Sequence, residues 1–364
     1  MSKSLAEKVI KDEIKNLVRI HDGFDNRNDY LRFDKKERLF PFDKNLLEQF
    51  RKSISFEDLS AYYELGPTYR KLAKYLGVDV KQIFLAAGSD LAIKSVYEAC
   101  VNKGDEVIMH SPCYAMSKVY ANMFGAKAHV VALRPDWQID FNKMMSLVNK
   151  KTKLFILENP NGFVGTRPLV VDVKRCAKEL LEKDVILLLD EAYIYFDEER
   201  SQTVELIAKF PNLIITQTFS KMHGLAGLRA GYLIGNEELI SYISRVRPMH
   251  EISSLSAKAM EWVLDNPKLL RDYRKEVKAS KEYLAVEISR LGLEFRDAHA
   301  NFIMIKQDFR LSSKDICGEF KKRKILIRRP FSEPPVSGWI LVCVGGISDS
   351  RIFIKALKKI ISKG

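Results

Sequence analysis

The chain has 364 residues, of which 46% are hydrophobic and 29% are charged, as in ordinary folded globular proteins. This composition excludes a disordered or fibrous protein, and the length predicts two or three structural units at roughly 150 residues per domain. The net charge of +13 would suit an anionic partner. However, the lysines are interleaved with acidic residues, as in KDEIK, so they indicate solvated helix faces and no nucleic-acid partner.

The five cysteines are widely spaced and never form a C-x-x-C pair. Their number and spacing argue against a disulfide framework and a zinc cluster, and favour a reducing compartment such as the cytoplasm. The histidines show no metal-ligand spacing, so we expect no metal. The N-terminal stretch is charged, and no window approaches the roughly 18 apolar residues that a membrane helix needs. We therefore expect neither a signal peptide nor a membrane span.

The predicted elements divide the chain into three parts. Residues 1–55 lack alternating strands and helices, and we expect them to join the smaller domain or to cover the larger one. Residues 56–250 form the large domain, in which apolar runs alternate with amphipathic stretches, a pattern typical of an α/β fold with a mainly parallel central sheet. The predicted strands are KQIFLAA, DEVIMH, KLFILEN, VILLLD, LIITQT and RAGYLIG. Runs such as VILLL are apolar at consecutive positions, as in strands buried on both faces.

From about residue 255 the pattern changes to long helical stretches, followed by short strands and a closing helix. The strands are predicted at NFIMIK, KILIRRP and WILVCVG, and the closing helix at RIFIKALKKIISK. Residues 251–364 are therefore predicted to form a smaller α+β domain.

Polar residues follow three of the predicted strands. Each has an ordinary structural explanation by itself, because acids cap helices and glycines mark turns. The carboxyl ends of parallel strands meet at one edge of a sheet, so we expect these residues to lie together. They are Asp190 and Tyr193 after VILLL, Thr218, Ser220, Lys221 and Arg229 after LIITQ, and Gly88, Ser89 and Asp90 after QIFLAA.

Together these residues supply what pyridoxal 5'-phosphate requires. A lysine can form a Schiff base with its aldehyde, and a carboxylate can keep its ring nitrogen protonated. A helix N-terminus, hydroxyl groups and an arginine can bind its phosphate. We therefore expect this cofactor.

Three segments also carry a resemblance to a known family. TFSKMHGLAGLRAGY is similar to a cofactor-lysine signature, DEAYIYF to a DEAY-x-x-F element, and AAGSDLAIK to a G-S-D-E-x-I phosphate turn. The sequence thus resembles the fold-type I aminotransferases of class I/II, within them the histidinol-phosphate aminotransferase branch. The resemblance implies a large domain that binds pyridoxal phosphate and a smaller α+β domain.

The resemblance implies a role for each residue of the constellation. Lys221 would hold the cofactor and move the substrate proton, Asp190 would pair with the ring nitrogen, and Tyr193 with the ring hydroxyl. Tyr114 would stack on the ring, although a core tyrosine is the alternative. The phosphate would be bound by Gly88, Ser89, Asp90, Thr218, Ser220 and Arg229.

The resemblance further implies a homodimer with shared sites. Tyr62 is similar to the tyrosine that reaches the cofactor phosphate of a neighbouring subunit, and Tyr63 is the competing candidate.

Two departures from the family concern the substrate carboxylate. The family segment N-P-N-N-P-T-G reads NPNGFVG here, so Gly162 replaces an asparagine that bridges the ring hydroxyl and the carboxylate, and Asn161 is the candidate to act instead. The family segment L-R-I-T-V-G reads ILVCVG, so Leu341 replaces the arginine that binds the carboxylate. The usual contacts with an amino acid are therefore missing.

Four arginines are candidates for the substrate anions. Arg328 matches the position that the resemblance associates with a distal phosphate, and Arg329 follows it. Arg32 is a further candidate, as is Arg38. For each of them a surface ion pair is the alternative.

These observations support two enzymatic hypotheses and one non-enzymatic one. The first is an aminotransferase for a small phosphorylated amino compound. The second is a decarboxylase of a serine or threonine phosphate, because loss of both carboxylate contacts can turn the carboxylate out of the ring plane. A non-catalytic binding protein is disfavoured, because Lys221, Asp190, Tyr193 and Arg229 are all present. His223, close to Lys221, is predicted to be a loop residue.

Overall fold

The computed structural model describes residues 4–17, 26–197, 201–307 and 313–362. The strands are β1 (Leu31–Phe33), β2 (Ile83–Ala86), β3 (Glu106–Ser111), β4 (Lys127–Ala132), β5 (Thr152–Glu158), β6 (Ile186–Asp190), β7 (Leu213–Thr218), β8 (Gly231–Ile234), β9 (Phe295–Asp297), β10 (Phe302–Lys306), β11 (Ile325–Ile327) and β12 (Trp339–Cys343).

The α-helices are α1 (Leu5–Val9), α2 (Asp12–Lys15), α3 (Lys44–Lys52), α4 (Glu57–Ser60), α5 (Gly66–Leu76), α6 (Gly88–Cys100), α7 (Ala115–Met123), α8 (Phe141–Ser146), α9 (Val170–Leu181), α10 (Glu237–Ile243), α11 (Ser254–Asp265), α12 (Lys268–Arg290), α13 (Ser313–Lys322) and α14 (Ile347–Ile361). No helix within the described ranges is both long and apolar enough to cross a membrane.

The central sheet has seven strands in the order β2-β8-β7-β6-β5-β3-β4. Strand β8 runs antiparallel to both of its neighbours, and the other adjacent pairs are parallel. The predicted α/β fold with a mainly parallel sheet is therefore confirmed. The carboxyl ends of β2, β3, β5, β6 and β7 all lie at one edge of this sheet, which is where such folds bind ligands.

Both faces of the inner strands are buried. In β6, Leu187 and Leu189 pack into the cluster on one face, whereas Leu188 packs into the cluster on the other. Ile215 and Ile214 of β7 divide in the same way. Side chains alternate along a strand, so a strand covered on both sides needs apolar residues at consecutive positions.

The C-terminal part holds a second, smaller sheet. Strands β9, β10 and β12 form an antiparallel sheet in the order β12-β10-β9. Strand β1 pairs in parallel with β11, so a segment from the first 55 residues is bonded to the C-terminal part of the chain. The three domain bounds given above stay a prediction.

Some elements differ from the sequence-based expectation. Strands β1, β4 and β9 were not among the predicted strands. The amphipathic stretch SQTVELIAKF contains a short 3-10 turn, Val204–Ala208, rather than a full helix.

Candidate active site

A cavity of about 270 Å³ opens at the carboxyl edge of the central sheet. It is lined by the ends of β5, β6 and β7, by the start of α6, and by the segment after β1. The lining residues are Asp34, Lys35, Lys36, Ser89, Asp90, Tyr114, Glu158, Pro160, Gly162, Phe163, Asp190, Ala192, Tyr193, Thr218, Ser220, Lys221, Arg229 and Arg328.

Lys221 lies in the loop directly after β7. Its Nζ donates a hydrogen bond to the Lys35 carbonyl oxygen at 3.2 Å and lies 5.5 Å from the centre of the Tyr193 ring. Burial lowers the pKa of Lys221, and the nearby Arg229 lowers it further. A lysine whose charged form is disfavoured has a larger fraction of free amine, which is the form that attacks an aldehyde.

Asp190 ends β6 and is buried at the floor of the cavity. Its Oδ1 accepts a hydrogen bond from the backbone N–H of Ala192 at 3.0 Å. Burial raises the pKa of Asp190 to about 6, and the carboxylate of Glu191 contributes. A buried carboxylate without a bound cation is costly, so this position favours a protonated ring nitrogen as its partner.

Tyr193 is buried beside Asp190, three residues along the same loop. Its ring meets Phe302 edge-on, with the ring centres 6.5 Å apart. Burial raises the pKa of Tyr193 well above its ordinary value, so its hydroxyl stays protonated and remains a hydrogen-bond donor.

One end of the cavity gathers groups that suit a phosphate. Helix α6 begins at Gly88, so its unpaired N–H groups lie beside Ser89 and the cavity. Arg229 Nη1 donates to Ser220 Oγ at 3.2 Å, and Thr218 lines the same wall. Asp90 belongs to this wall and accepts a hydrogen bond from the Tyr120 hydroxyl at 2.7 Å.

Gly88 makes room for Arg229. Its φ is 85°, and a Cβ at this position would lie 2.6 Å from Arg229 Nη2. The absence of a side chain lets the guanidinium sit against the start of α6, so cation and helix N-terminus lie side by side.

Glu158, which ends β5, was not predicted from the sequence. One carboxylate oxygen accepts from the Tyr114 N–H and the other from the Gly162 N–H, the latter at 2.8 Å. Burial raises the pKa of Glu158 to about 8, and repulsion from Asp190 acts in the same direction. The sequence held a signal for it, because LFILE ends an apolar run with an acid as VILLLD does.

The space beside Gly162 is already occupied. A Cβ on Gly162 would lie 2.9 Å from the Tyr193 ring and 3.6 Å from a Glu158 oxygen. The asparagine of the family therefore has no room in this arrangement, because the Tyr193 ring and the Glu158 carboxylate occupy the space.

Two cations line the other end of the cavity. The guanidinium of Arg328 lies 4.5 Å from the centre of the Phe163 ring and 5.1 Å from that of Phe331. Lys36 Nζ also lies 4.5 Å from the Phe163 ring centre and donates to the Gly162 carbonyl oxygen at 2.7 Å. Lys36 was not predicted, because the run DKKER reads as a solvated charge cluster.

Three of the proposed ligand-binding residues are not brought to the cavity. Asn161 was expected to bind the cofactor, but its Nδ2 donates to the Pro112 carbonyl and its Oδ1 accepts from the backbone of the following turn. Arg32 is paired with Glu37 at 2.9 Å. Arg329 is exposed to solvent outside the lining. Asn161 instead stabilises its own turn, Arg32 forms an ion pair, and Arg329 is hydrated.

Two further residues lie away from the cavity. Arg38 packs on the Phe42 and Tyr273 rings and donates to the Phe40 carbonyl. His223 lies in the turn that follows β7, as predicted for a loop residue, and its side chain is fully buried against Phe219.

Tyr62 and Tyr63 are in different surroundings. Tyr62 is 83% exposed and stacks on His250, with ring centres 4.1 Å apart. Tyr63 is half-buried, and its hydroxyl donates to Glu261 at 3.4 Å. Tyr62 is therefore the one of the two that has its ring available to another molecule.

The residues of the cavity fit pyridoxal 5'-phosphate. A lysine amine and a buried carboxyl group line the same cavity, and the cradle at Gly88 places N–H groups, hydroxyls and a guanidinium together for a phosphate. The fold and this set of side chains define a pyridoxal-phosphate-dependent enzyme.

Comparison with known proteins gives the family. The model for aminotransferase class I and II matches residues 32–357. A histidinol-phosphate aminotransferase from Sulfurisphaera tokodaii is 30% identical over 347 residues, which cover 94% of this chain and 93% of that protein. The chain therefore belongs to the aminotransferase class I and II family, and its cofactor is pyridoxal 5'-phosphate.

Solved structures share the fold. Histidinol-phosphate aminotransferase from Sinorhizobium meliloti, in complex with pyridoxal-5'-phosphate, matches with a TM-score of 0.88 at 20% identity and covers 98% of each chain. L-threonine-O-3-phosphate decarboxylase from Porphyromonas gingivalis matches with a TM-score of 0.77 at 18% identity, over 91% of this chain and 99% of that one. The same architecture thus occurs in proteins named for two different reactions.

Proposed function

We propose that this enzyme is an aminotransferase for a small phosphorylated amino compound, similar to histidinol phosphate. The observation that carries the proposal is the position of Arg328, half-buried in the same cavity as Lys221. A guanidinium can bind two phosphate oxygens at once, and burial strengthens that interaction. The naming of the Sulfurisphaera tokodaii relative supports the same substrate class.

The side chains of the cavity have different roles toward the cofactor. When bound, pyridoxal phosphate supplies an aldehyde for the substrate amine and a ring that accepts the electron pair released at the substrate carbon. Asp190 would keep the ring nitrogen protonated, and Tyr193 would donate a hydrogen bond to the ring hydroxyl. Lys221 would hold the cofactor through its amine, and the same Nζ would accept a proton from the substrate carbon.

The remaining residues position the cofactor. Ser89, Thr218, Ser220 and Arg229 would bind the phosphate, and Gly88 leaves space for the Arg229 guanidinium. Tyr114 directly precedes α7 beside the cavity, and its ring would stack on the cofactor. A phosphate held in this way would orient the cofactor toward Asp190 and Lys221.

A decarboxylase of a phosphorylated amino acid is the second candidate function. It is favoured by Leu341, which is fully buried where the family has an arginine, and by Gly162, which lacks the asparagine side chain. The bond that breaks is the one perpendicular to the cofactor ring. Without in-plane contacts the carboxylate can take that orientation, and carbon dioxide is then lost in place of a proton.

One experiment separates the two reactions. The cofactor-loaded enzyme is mixed with glutamate, histidinol phosphate, phosphoserine or phosphothreonine, while the cofactor spectrum is recorded and products are identified by mass spectrometry. We expect conversion of the cofactor to its amine form together with a carbonyl product. A product amine lighter by carbon dioxide, with the cofactor spectrum restored, would establish the decarboxylase instead.

We further propose a homodimer in the cytoplasm with shared active sites. Tyr62 is exposed on the surface beside other apolar side chains, as expected of a residue that reaches a second subunit. All five cysteines are free thiols, which suits a reducing compartment.

A further inference from the structure

Lys36 lies in the cavity wall on a backbone that other elements hold in place. Its φ is 57°, in the left-handed region that residues with side chains rarely adopt. Its N–H donates to Cys343 Sγ at 3.1 Å, and its carbonyl accepts from Asn301 Nδ2 at 3.3 Å. Contacts from two elements of the C-terminal part therefore maintain an unfavourable backbone conformation at this residue.

The ammonium group of Lys36 is buried with unused hydrogen-bonding capacity. The residue is 6% exposed, and Nζ donates to a single acceptor in the described part of the chain, the carbonyl of Gly162 at 2.7 Å. An ammonium has three N–H donors, and no carboxylate within the described ranges forms a salt bridge with this one. A buried cation without an anion is costly, so the cavity is suited to an anionic ligand at this point.

Lys36 also lies where the two family contacts are lost. Its Nζ bonds the carbonyl of Gly162, the residue that replaces the family asparagine. Leu341 and Cys343 are two positions apart on β12, so their side chains point to the same face of the strand, and Cys343 Sγ bonds the Lys36 backbone. The lysine therefore contacts the first replaced position, and it also contacts a residue that shares a strand face with the second.

The arrangement of the two cations matches a substrate with two anionic groups. Lys36 Nζ and the Arg328 guanidinium each lie 4.5 Å from the centre of the Phe163 ring. Both cations are therefore within the distance at which an aromatic ring stabilises a positive charge.

We propose that Lys36 Nζ binds the substrate carboxylate, in place of the arginine and asparagine that Leu341 and Gly162 replace. Among substrates that have an α-carboxylate, the site then selects those that carry a second anionic group for Arg328, such as a phosphate or a distal carboxylate. This inference rests on the proposed function, because it takes Arg328 as the distal anion site.

The test uses two ligands that differ in the carboxylate. Neither 2-phosphoglycolate nor ethyl phosphate has an amine, so neither displaces Lys221, and the first carries a carboxylate where the second has a methyl group. Their dissociation constants are measured by calorimetry on the cofactor-loaded enzyme, for the wild type, Lys36→Met, Lys36→Arg and the exposed control Lys44→Met.

We expect the wild type and Lys44→Met to bind 2-phosphoglycolate more tightly than ethyl phosphate, by roughly 10- to 100-fold for a charge-assisted contact. Lys36→Met should remove this preference while leaving the affinity for ethyl phosphate within about twofold of the wild-type value. Lys36→Arg should retain part of the preference, because it keeps the charge.

Two results would overturn the inference in distinguishable ways. A Lys36→Met enzyme that keeps the preference shows that another group binds the carboxylate, while the proposed function stands. If the wild type binds neither ligand, the cavity has no anion site, and both the proposed function and the inference are wrong.

Discussion

Three titratable side chains of the cavity have pKa values shifted toward neutrality. Burial lowers the pKa of Lys36 to about 7, and raises those of Glu158 to about 8 and Asp190 to about 6. The charged forms are disfavoured because the cavity is poorly solvated and its residues repel like charges. A bound cofactor and substrate supply the opposite charges, so the ligand stabilises protonation states that are costly without it.

Lys36→Met should make the protein more stable. The pKa of Lys36 is about 7 in the folded protein and about 10.4 in an unfolded chain, so below pH 7 folding carries the full cost of a buried ammonium. Methionine removes that cost, and we expect the free energy of unfolding to rise by about 1–4 kcal/mol at pH 6.5. Urea denaturation of the cofactor-free enzyme measures this free energy of unfolding.

The stability gain should depend on pH in one direction. It is largest below about pH 7 and shrinks as the pH rises toward 10, because the folded wild type has then lost the proton that the unfolded chain still binds. The exposed control Lys44→Met should show no such trend. A loss of stability in Lys36→Met would mean that the ammonium supports the fold instead of the ligand.

Lys221→Ala should abolish covalent attachment of the cofactor. The amine of Lys221 lines the cavity, and alanine leaves no nucleophile at this position. We expect the absorption band of the attached cofactor to vanish and turnover to fall by roughly 10²–10⁴-fold or more. Absorption spectra before and after gel filtration provide the measurement, with the exposed Lys209→Ala as the control. An unchanged band in Lys221→Ala would refute the site.

Part of the site could be predicted from sequence because it follows strand ends. Asp190 and Lys221 come directly after buried apolar runs, and topology then places them at one edge of the sheet. Lys36 was not predictable in this way, because a turn fixed by Cys343 brings it into the cavity from a charged segment. Glu158 was predictable in principle, since it too ends a buried strand.

At the level of elements, Gly88 at the start of α6 should tolerate no side chain. Gly88→Ala would place a Cβ 2.6 Å from Arg229 Nη2 and impose a φ of 85° on alanine. We expect a loss of about 1–3 kcal/mol of stability, together with weaker cofactor binding because Arg229 is displaced. Thermal unfolding and cofactor titration measure the two effects.

Gly77→Ala is the matched control for this prediction. Gly77 has a φ of 73° at the end of α5, but a Cβ there would meet no atom within 4 Å. Gly77→Ala should therefore lose stability, because alanine is strained at this φ, but it should keep its affinity for the cofactor. Equal losses of affinity in both variants would mean that Arg229 has no special dependence on Gly88.

The strands divide into those that sequence can predict and those that it cannot. Strands β5, β6 and β7 lie inside the sheet and contain consecutive apolar residues, LFIL, ILLL and LII, because both faces are covered. Strand β4 lies at the sheet edge, and only one of its six residues, Val131, is buried. An edge strand pairs through its backbone on one side, which leaves little trace in side-chain composition.

At the level of the whole molecule, one surface is unusually apolar. Phe56, Leu59, Tyr62 and Met249 are all more than 60% exposed, and the stacking of Tyr62 on His250 joins the two segments that carry them. Apolar side chains gathered at a surface favour an interface between proteins. We expect this surface to be the one that pairs two copies of the chain.

Leu59→Glu should therefore produce a monomer with little activity. A carboxylate in an apolar interface loses its hydration without gaining a partner, and in the proposed dimer separation of the subunits would also remove Tyr62 from the neighbouring site. Sedimentation velocity with activity measured at the same concentration provides the check. The control Ile352→Glu alters another exposed apolar residue, on α14, and should leave the dimer intact. A Leu59→Glu enzyme that stays dimeric would place the interface elsewhere.

The pairing of β1 with β11, and of Lys36 with Cys343, also determines when the cavity can form. A ribosome releases the segment of residues 31–36 long before β11 and β12 have been synthesised. The strands that carry Asp190 and Lys221 can assemble in the meantime, but the wall formed by Lys36 has no partner until nearly the entire chain has emerged. A nascent or truncated chain that ends before β12 would thus present Lys221 in an open pocket, and the proposed selectivity of Lys36 would be acquired only at the end of translation.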